Sequence, residues 1–463
     1  RSRIFPLKTI DELLKEVKNV HFIGIGGAGM CPLAEILISL GYHVSGSDNN
    51  DTETFRRVEK EGAKVFLGQK KENISPDTQL VIYTNAILAG NEELEYAKAN
   101  FPCFERAELL GAVSRVFSNC IGVCGTHGKT TTTSMITEAL LDAGLDPSAV
   151  IGGKLPRIDA YGRVGKSQNF VCESCEFNNT FLHMNPDMAV VLNVDEDHLD
   201  FFGNLDNIKK SFRKFCENTT RTIIYNGDDE NTVDMLKGIT GKKLISFGIQ
   251  DGNDYTAKNI DVPGGFHIEY DIYKGETYIT HIVLTVPGEH NVLNSLAAFI
   301  ACVESGADLE KIKQSLYEFH GAGRRFELRG TFKGITLADD YAHHPKEIEV
   351  TLKAAKKMNY KRVWAVHQPF TYTRTAKFLD DFARVLKIAD QCVISEIMGS
   401  REVNTIGIKA TDLSSKIPGA VQIDKLEDIA DYLAEHCKDG DLVITLGCGD
   451  VYKVSRMLEK KLK

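Results

Sequence analysis

Short apolar runs alternate with segments of helical period almost from end to end of the chain, the pattern of α/β domains built on parallel sheets. Three strand–loop–helix openings stand out, near residues 20, 120 and 360, the first two with glycine-rich loops. The first reads VHFIGIGGAGM, then a helix from Pro32 to Leu40, the strand HVSGSD, a helix around Arg56 to Glu61 and the strand QLVIYTNA. CIGVCGTHGKTTTTSMITEALLDAG restarts the pattern with a strand, a phosphate-type loop and a helix, which sets a boundary near residue 115. Between Asp251 and Gly288 the period falls to two with glycine turns, predicting short antiparallel strands. The helical segments HNVLNSLAAFIACVESG and LEKIKQSLYEF follow, and the polar HGAGRRFELRG, carrying Arg324 and Arg325, reads as a linker. GITLADDY, a helix from Pro345, RVWAVHQP, QCVISEI and DLVITLGCGD then repeat the strand–helix alternation.

At roughly 150 residues per domain, a length of 463 residues suggests about three domains. The pattern divides them as 1–115, 116–322 and 323–463. Fifty-five Lys and Arg against 64 Asp and Glu give a net charge of −9, which argues against a nucleic-acid surface but not against a local anion site. No uncharged apolar stretch reaches the roughly 18 residues a membrane span needs. The 11 cysteines are scattered, odd in number and often set in apolar runs, as reduced core thiols are. Cys172-x-x-Cys175 lacks the two further ligands a structural zinc site wants. With neither a secretory nor a transit pattern in the first residues, a reducing cytoplasm is the expected setting.

The strongest chemical signal is Gly125-Thr126-His127-Gly128-Lys129-Thr130-Thr131, between an apolar strand and a helix. There backbone N–H groups and the helix N-terminus cradle polyphosphate. Lys129 is placed to reach the β- and γ-phosphates, and Thr130 to offer its hydroxyl to Mg²⁺. The usual spacing asks for Gly at 123, where this chain has Val123 between Gly122 and Gly125. Two later strands end in acidic residues: NFVCESCE in Glu173 and Glu176, and MAVVLNVDEDHLD in Asn193, Asp195, Asp197, His198 and Asp200. Ligands gather outside the carboxyl ends of parallel strands, so both sets are expected to converge on a nucleotide held by Lys129. Hard oxygen donors of this kind suit Mg²⁺.

Gly24-Ile25-Gly26-Gly27-Ala28-Gly29 satisfies G-x-G-x-x-G between a strand and a helix, with Asp48 about 20 residues on. Taken alone it is a dinucleotide fingerprint. Physically it specifies close backbone approach to a diphosphate, which serves a nucleotide-diphosphate sugar equally well. In the last third, Asp339-Asp340-Tyr341-Ala342-His343-His344-Pro345 and His367-Gln368-Pro369 through Arg374 follow strand ends and are candidate substrate contacts. Adjacent histidines without a third ligand argue against zinc there.

The order HFIGIGGAGM, GSD, GTHGKTTT, a Glu-rich strand end, N-x-x-x-D-H, GEHNVLN, GAGRRFE, DDYAHHP and G-x-G-D resembles the Mur ligase family over essentially the whole chain. The resemblance implies three domains: an N-terminal Rossmann-like domain for a UDP-sugar, a central P-loop-type ATPase α/β domain with a small antiparallel sheet, and a C-terminal Rossmann-like domain that closes over the site. It implies ATP-driven amide formation, in which the lactyl carboxylate of UDP-N-acetylmuramate becomes an acyl phosphate that the amino group of L-alanine attacks. By position, Gly125, Thr126, His127, Gly128, Lys129, Thr130 and Thr131 would hold the ATP phosphates. Thr130, Glu173 and His198 would hold Mg²⁺. His290, Asn291 and Asn294 match the adenine-side motif, and Arg325 a hinge arginine that reaches ATP. Asp340, Tyr341 and His343 match the loop associated with the amino acid and nucleotide. Arg374 matches an arginine that meets the UDP-sugar carboxylate or transferred phosphate. Gly26, Ala28, Gly29, Ser47 and Asp48 match the uridine-diphosphate end. Small-molecule substrates, no nucleic acid and a monomer or weak homodimer are expected.

The chain departs from the family pattern in three places. Ser-Cys-Glu-Phe-Asn follows Glu173 where A-D-E-S-D is common, which leaves the role of Glu176 open. Phe370 stands where His is usual, and Thr371 where many members carry Arg, which places more of the substrate contact on Arg374. Three other readings compete: a recycling ligase that joins a preformed tripeptide, a nicotinamide dehydrogenase, and a non-catalytic UDP-sugar module. The dehydrogenase leaves GTHGKTTT unexplained.

Overall fold

A computed structural model of the chain describes residues 8–263, 267–323, 325–400 and 402–463; Arg324 and part of the stretch expected to form antiparallel strands lie outside them. The chain packs as two compact units, one formed by residues 1–256 and 295–315 and the other by 257–294 and 316–463.

The first unit holds two parallel sheets. In the N-terminal one, β1 (Asn19–Ile23), β2 (His43–Asp48), β3 (Lys64–Leu67), β4 (Leu80–Tyr83) and β5 (Cys103–Glu105) run in the order β3-β2-β1-β4-β5. Every neighbouring pair is parallel. The order reverses between β1 and β4, and in such open sheets ligands bind at that crevice, outside the carboxyl ends of the strands. The helix expected from Pro32 runs over Cys31–Ser39 with proline in its first turn, where the missing N–H costs nothing. The helix expected around Arg56 starts earlier, at Glu53–Lys60, because the Thr52 hydroxyl accepts from the Phe55 N–H at 3.2 Å and caps it.

In the second sheet, β6 (Asn119–Cys124), β7 (Ser148–Leu155), β8 (Ala160–Arg163), β9 (Asn169–Glu173), β10 (Met188–Val191), β11 (Thr222–Asn226) and β12 (Lys243–Gly248) run in the order β12-β11-β10-β6-β9-β7-β8. Only β8 is antiparallel to its neighbour. Strand β6 is thus central, with β9 and β10 on either side. Their near-continuous apolar runs are buried on both faces, as parallel strands under helices must be. Phe181 stacks on Phe215 with ring centroids 4.8 Å apart and meets Phe212 edge-on. Arg115 joins the two parts of this unit through Asp11 at 2.7 Å and the His183 carbonyl at 2.7 Å.

β13 (Tyr255–Asp261) begins parallel to β12, pairing Tyr255 with Phe247, so the period-two stretch is not wholly antiparallel. β14 (Ile268–Lys274) and β15 (Thr277–Leu284) do form the expected antiparallel hairpin. In the second unit, β16 (Glu327–Phe332), β17 (Ile335–Asp340), β18 (Arg362–His367), β19 (Gln391–Ile394), β20 (Val421–Gln422) and β21 (Asp441–Leu446) run in the order β16-β17-β21-β18-β19-β20. All neighbours are parallel except the edge pair β16–β17. Alternation along β18 sends Val363 and Ala365 into one core and Trp364 and Val366 into the other. No helix among the described residues is long and apolar enough to cross a membrane.

Candidate functional site

The loop after β6 leads into the helix Lys129–Asp142. Gly128 is its N-cap at φ 86°, a left-handed conformation that glycine adopts without strain, and no side chain caps the helix. The backbone N–H groups of Gly128, Lys129 and Thr131 find no acceptor among the described residues. Open donors at the positive end of a 14-residue helix form an anion cradle.

Neighbouring strand ends hold that loop. Asn193, just past β10, accepts from the Thr126 N–H through its carbonyl at 3.1 Å and from the His127 N–H through Oδ1 at 2.8 Å. Its Nδ2 donates back to the His127 carbonyl at 3.0 Å. The Asp195 N–H donates to Thr126 Oγ1 at 2.8 Å, and the Asp195 carboxylate lies 3.7 Å from His127 Nε2.

Lys129 curls over its own loop. Its ammonium donates to the Gly125 carbonyl at 2.6 Å and lies 3.1 Å from the carboxylate of Glu176, just beyond the end of β9. Burial alone would favour neutral lysine, yet the buried Glu176, with smaller contributions from Cys175 and Glu173, holds the ammonium above its usual range. Lys129 is therefore a fixed cation. Glu173 occupies the other side of the loop: its Oε2 accepts from the Thr130 hydroxyl at 2.9 Å and from the Gly152 N–H at 2.7 Å. Its Oε1 has no partner among the described residues. Gly152 on β7 is required by that approach, because a Cβ there would lie 2.3 Å from Glu173 Oε2. His198, at φ 49°, sets Nε2 3.8 Å from Glu176 and 3.7 Å from Asp197. The Cys172 and Cys175 thiols are free, and burial pushes them up to about 12 and about 11.

The structure thus brings Lys129, Thr130, Glu173, Glu176 and His198 to the carboxyl ends of β6 and β9, with Thr131 in the first helical turn. Glu176, left open by the sequence, is the buried counter-ion of Lys129. Sequence reading overlooked Gly152, although a Gly-Gly pair inside a strand signals close approach. It also took Asn193 only as a possible metal ligand, whereas Asn193 braces the loop.

At the N-terminal loop, the Gly26 N–H donates to Asp48 Oδ2 at 2.9 Å. The Ser47 carbonyl accepts from Gly24 and Ile25, while its buried hydroxyl donates to Glu93 at 2.7 Å. Ser47 therefore supports the loop from beneath. Ala28 and Gly29 stand just before the helix, and their N–H groups have no acceptor among the described residues.

In the second unit, His290 opens the helix His290–Glu304 at an exposed position. Asn291 donates to the Pro287 carbonyl at 2.8 Å, and Asn294 to Asn291 at 3.1 Å. At the end of β17, Asp340 accepts from the Phe326 N–H at 2.9 Å and the Ala342 N–H at 2.7 Å. Burial raises its carboxyl to about 6 against the opposing pull of Arg325 and these N–H groups. The Arg325 guanidinium lies 5.0 Å from the Tyr341 ring centroid, and Tyr341 meets His343 edge-on. Arg374 lies in the short helix Tyr372–Lys377, which Thr371 caps through its hydroxyl.

Family models cover all three parts of the chain: a Mur ligase family catalytic domain over residues 19–118, a Mur ligase middle domain over 123–302, and a Mur ligase glutamate ligase domain over 324–449. The chain belongs to the Mur ligase family. UDP-N-acetylmuramate–L-alanine ligase of Acetivibrio thermocellus is 43% identical over 96% of each chain. The enzyme of the same name from Lachnospira eligens is 44% identical over 96% of this chain and 98% of its own. Among solved structures, UDP-N-acetylmuramate-alanine ligase of Thermotoga maritima matches with a TM-score of 0.80 and 27% identity, covering 96% of this chain and 98% of that one. A murein peptide ligase from Psychrobacter arcticus matches with a TM-score of 0.73 and 26% identity over 96% and 99%. As a Mur ligase, the chain carries two glycine loops within its first unit, and of these the one at 125–128 leads into Lys129, whose side chain is 14% exposed.

Proposed function

We infer that the protein joins L-alanine to the lactyl carboxylate of UDP-N-acetylmuramate at the expense of ATP, a step of peptidoglycan precursor synthesis. The observation that carries it is the Lys129–Glu176–Glu173–Thr130 cluster at the phosphate loop, in a chain whose full-length relatives at 40% identity and above bear that activity in their names. Division at about residues 115 and 322 gives a UDP-sugar domain, an ATP domain and an amino-acid domain.

ATP phosphates would lie on the open N–H groups of Gly128, Lys129 and Thr131, with the fixed charge of Lys129 against their oxygens. Phosphoryl transfer asks chiefly for such positioning and charge. The lactyl carboxylate oxygen bonds to the γ-phosphorus as the bond to ADP breaks. The alanine amine then attacks the acyl carbon, gives up a proton, and phosphate leaves. Mg²⁺ fits the donor set: the Glu173 carboxylate with its unpartnered Oε1 and the Thr130 hydroxyl are hard oxygen ligands, with His198 beside Glu176. When bound, the ion neutralises phosphate charge. His290, Asn291, Asn294 and Arg325 are assigned to the nucleotide, and Arg374 to the UDP-sugar carboxylate or transferred phosphate. Asp340, Tyr341 and His343 take the amino acid. Cytoplasmic residence follows from the substrates.

The recycling ligase remains the second reading, supported by the Psychrobacter arcticus likeness. A phosphate-release assay with UDP-N-acetylmuramate, ATP and a panel of L-alanine, glycine, L-serine and tripeptide separates them. Fastest turnover with L-alanine is expected; turnover with the tripeptide alone would overturn the assignment.

A further inference from the structure

A cavity of about 380 Å³, a size that suits a small molecule, lies where the helices Cys31–Ser39 and Glu53–Lys60 face the β7–β8 hairpin. All of its walls belong to the first unit. Lys154, near the end of β7, closes one side by pairing with Glu53 at 3.0 Å and with Asp159 at 2.7 Å. Gly162 lets β8 approach the first helix, since a Cβ there would lie 2.7 Å from Pro32 Cβ.

Four acidic and four basic side chains line the cavity, so it selects neither a polyanion nor a polycation. The most deeply buried of them is Glu35, whose side chain is 5% exposed. Its Oε1 accepts from Arg57 Nε at 2.6 Å and from the Cys31 thiol at 3.7 Å, while Oε2 accepts no hydrogen bond among the described residues. The Nη1 and Nη2 groups of Arg57 donate none among them either. Burial raises the Glu35 carboxyl against the pull of Arg57, and a cation at Oε2 would oppose that rise. Cys31 stays a thiol, pushed up to about 12 by burial, and no group of His, Cys, Asp or Glu among the described residues is placed to hold a metal ion.

We propose that this cavity is a regulatory site for a free α-amino acid, distinct from the acceptor site of the reaction, whose residues Asp340, Tyr341 and His343 belong to the second unit. The ammonium meets Glu35 Oε2, and the carboxylate meets the Nη1 and Nη2 groups of Arg57. Those two partners stand side by side, as the two charges of an α-amino acid do, and their paired charges match a ligand with no net charge. Tyr161 and Pro32 supply wall for its side chain. The same walls reach both glycine loops: Gly152 on β7 holds Glu173 at 2.7 Å, and the helix Cys31–Ser39 starts two residues after Gly29. An occupant therefore bears on both.

Calorimetric titration of the full chain with the common L- and D-amino acids, without ATP or UDP-sugar, tests the site. At least one should bind the parent protein. Glu35→Gln, which keeps an acceptor for Arg57, and Arg57→Lys, which keeps the charge without the fork, should each weaken it about 10- to 100-fold. The N-acetyl form and the methyl ester of that amino acid each lack one charge and should lose as much on the parent protein, whatever the stability of the variants. His343→Ala should leave this binding unchanged. No binding up to about 10 mM, capped forms that bind as well as the free amino acid, or an equal loss in His343→Ala overturns the site. Saturating ligand should change ADP production by the parent chain and not by Glu35→Gln; unaltered turnover overturns the regulatory role. Only that last readout rests on the ATP reaction, so a parent chain that binds the amino acid and turns over no ATP fails the reaction and keeps the site.

Discussion

The two glycine loops of the first unit share one local architecture and differ in what stands behind them. Each follows a buried parallel strand and feeds a helix with open N–H groups. Behind the loop at 125–128, Lys129 is fixed against Glu176, while Glu173 bonds to Thr130 and Gly152. Behind the loop at 24–29 the described residues place no buried lysine or arginine; Asp48 turns onto the Gly26 amide and Arg106 lies beside Gly29. The backbone makes both loops receptive to phosphate. On the proposed function, the side chains separate a loop that takes part in phosphoryl transfer from one that only binds a diphosphate.

The largest expected effect comes from breaking the reactive loop. Lys129→Ala should lower the rate of ADP production about 1,000-fold, as removal of a charge-stabilising donor does. The change also strands Glu176, whose side chain is 3% exposed, at a cost of about 3 kcal/mol. Adding Glu176→Gln should recover much of the urea midpoint without recovering turnover. Full turnover in Lys129→Ala would erase the distinction between the loops.

Gly152→Ala comes next, because the new Cβ would displace Glu173 without touching Lys129. A misplacement of that size should cost about 100-fold in kcat, with KM for the UDP-sugar unchanged. A rise in KM alone would move Glu173 out of the reacting centre. At the other loop, a Cβ on Gly26 would lie 3.0 Å from Asp48 Oδ2 and from Phe55 Cβ. Gly26→Ala should raise KM for the UDP-sugar about tenfold through lost backbone approach, leaving kcat near the parent value in steady-state assays.

The last effect bears on stability rather than turnover and falls outside both loops, at a buried group that no carboxylate among the described residues offsets. Lys129 packs against the buried Glu176 and stays charged; His367 is buried at the end of β18, where no carboxylate among the described residues acts on it. Burial, helped by nearby His343, lowers its imidazole from 6.5 to about 4 while Nδ1 bonds to the Leu446 carbonyl. The folded state therefore holds His367 neutral while the unfolded chain takes up a proton below pH 6.5. Its contribution to stability is complete above that pH and is lost as pH falls toward 4, by about 3 kcal/mol in all. Urea midpoints measured from pH 7 to pH 4 should show this component in the parent protein and not in His367→Phe. Equal slopes would mean His367 is solvated.

Much of this was legible in the sequence because its signals are local. Apolar strands before glycine loops marked β1 and β6, and acidic strand ends marked Glu173 and His198. What escaped depends on register between distant strands. Gly152 matters only because β7 lies beside β9, which lets its amide reach Glu173 across 21 residues of sequence. Arg106 meets Gly29 only because β5 and β1 flank β4. The resemblance set Ser47 at the uridine-diphosphate end, but alternation along β2 turns its buried hydroxyl inward to Glu93. The period-two stretch near residue 255 hid a strand that begins parallel to β12, since alternation reports one exposed face and not strand direction.

The division of labour between the loops is tested most directly by titrating UDP-N-acetylmuramate and ADP separately onto Lys129→Ala and Gly26→Ala. Lys129→Ala should keep its UDP-sugar affinity to within about twofold, as distant sites do, and lose ADP affinity about tenfold or more. Gly26→Ala should show the reverse pattern. Equal loss of both ligands in either variant would contradict two separate phosphate loops with separate tasks.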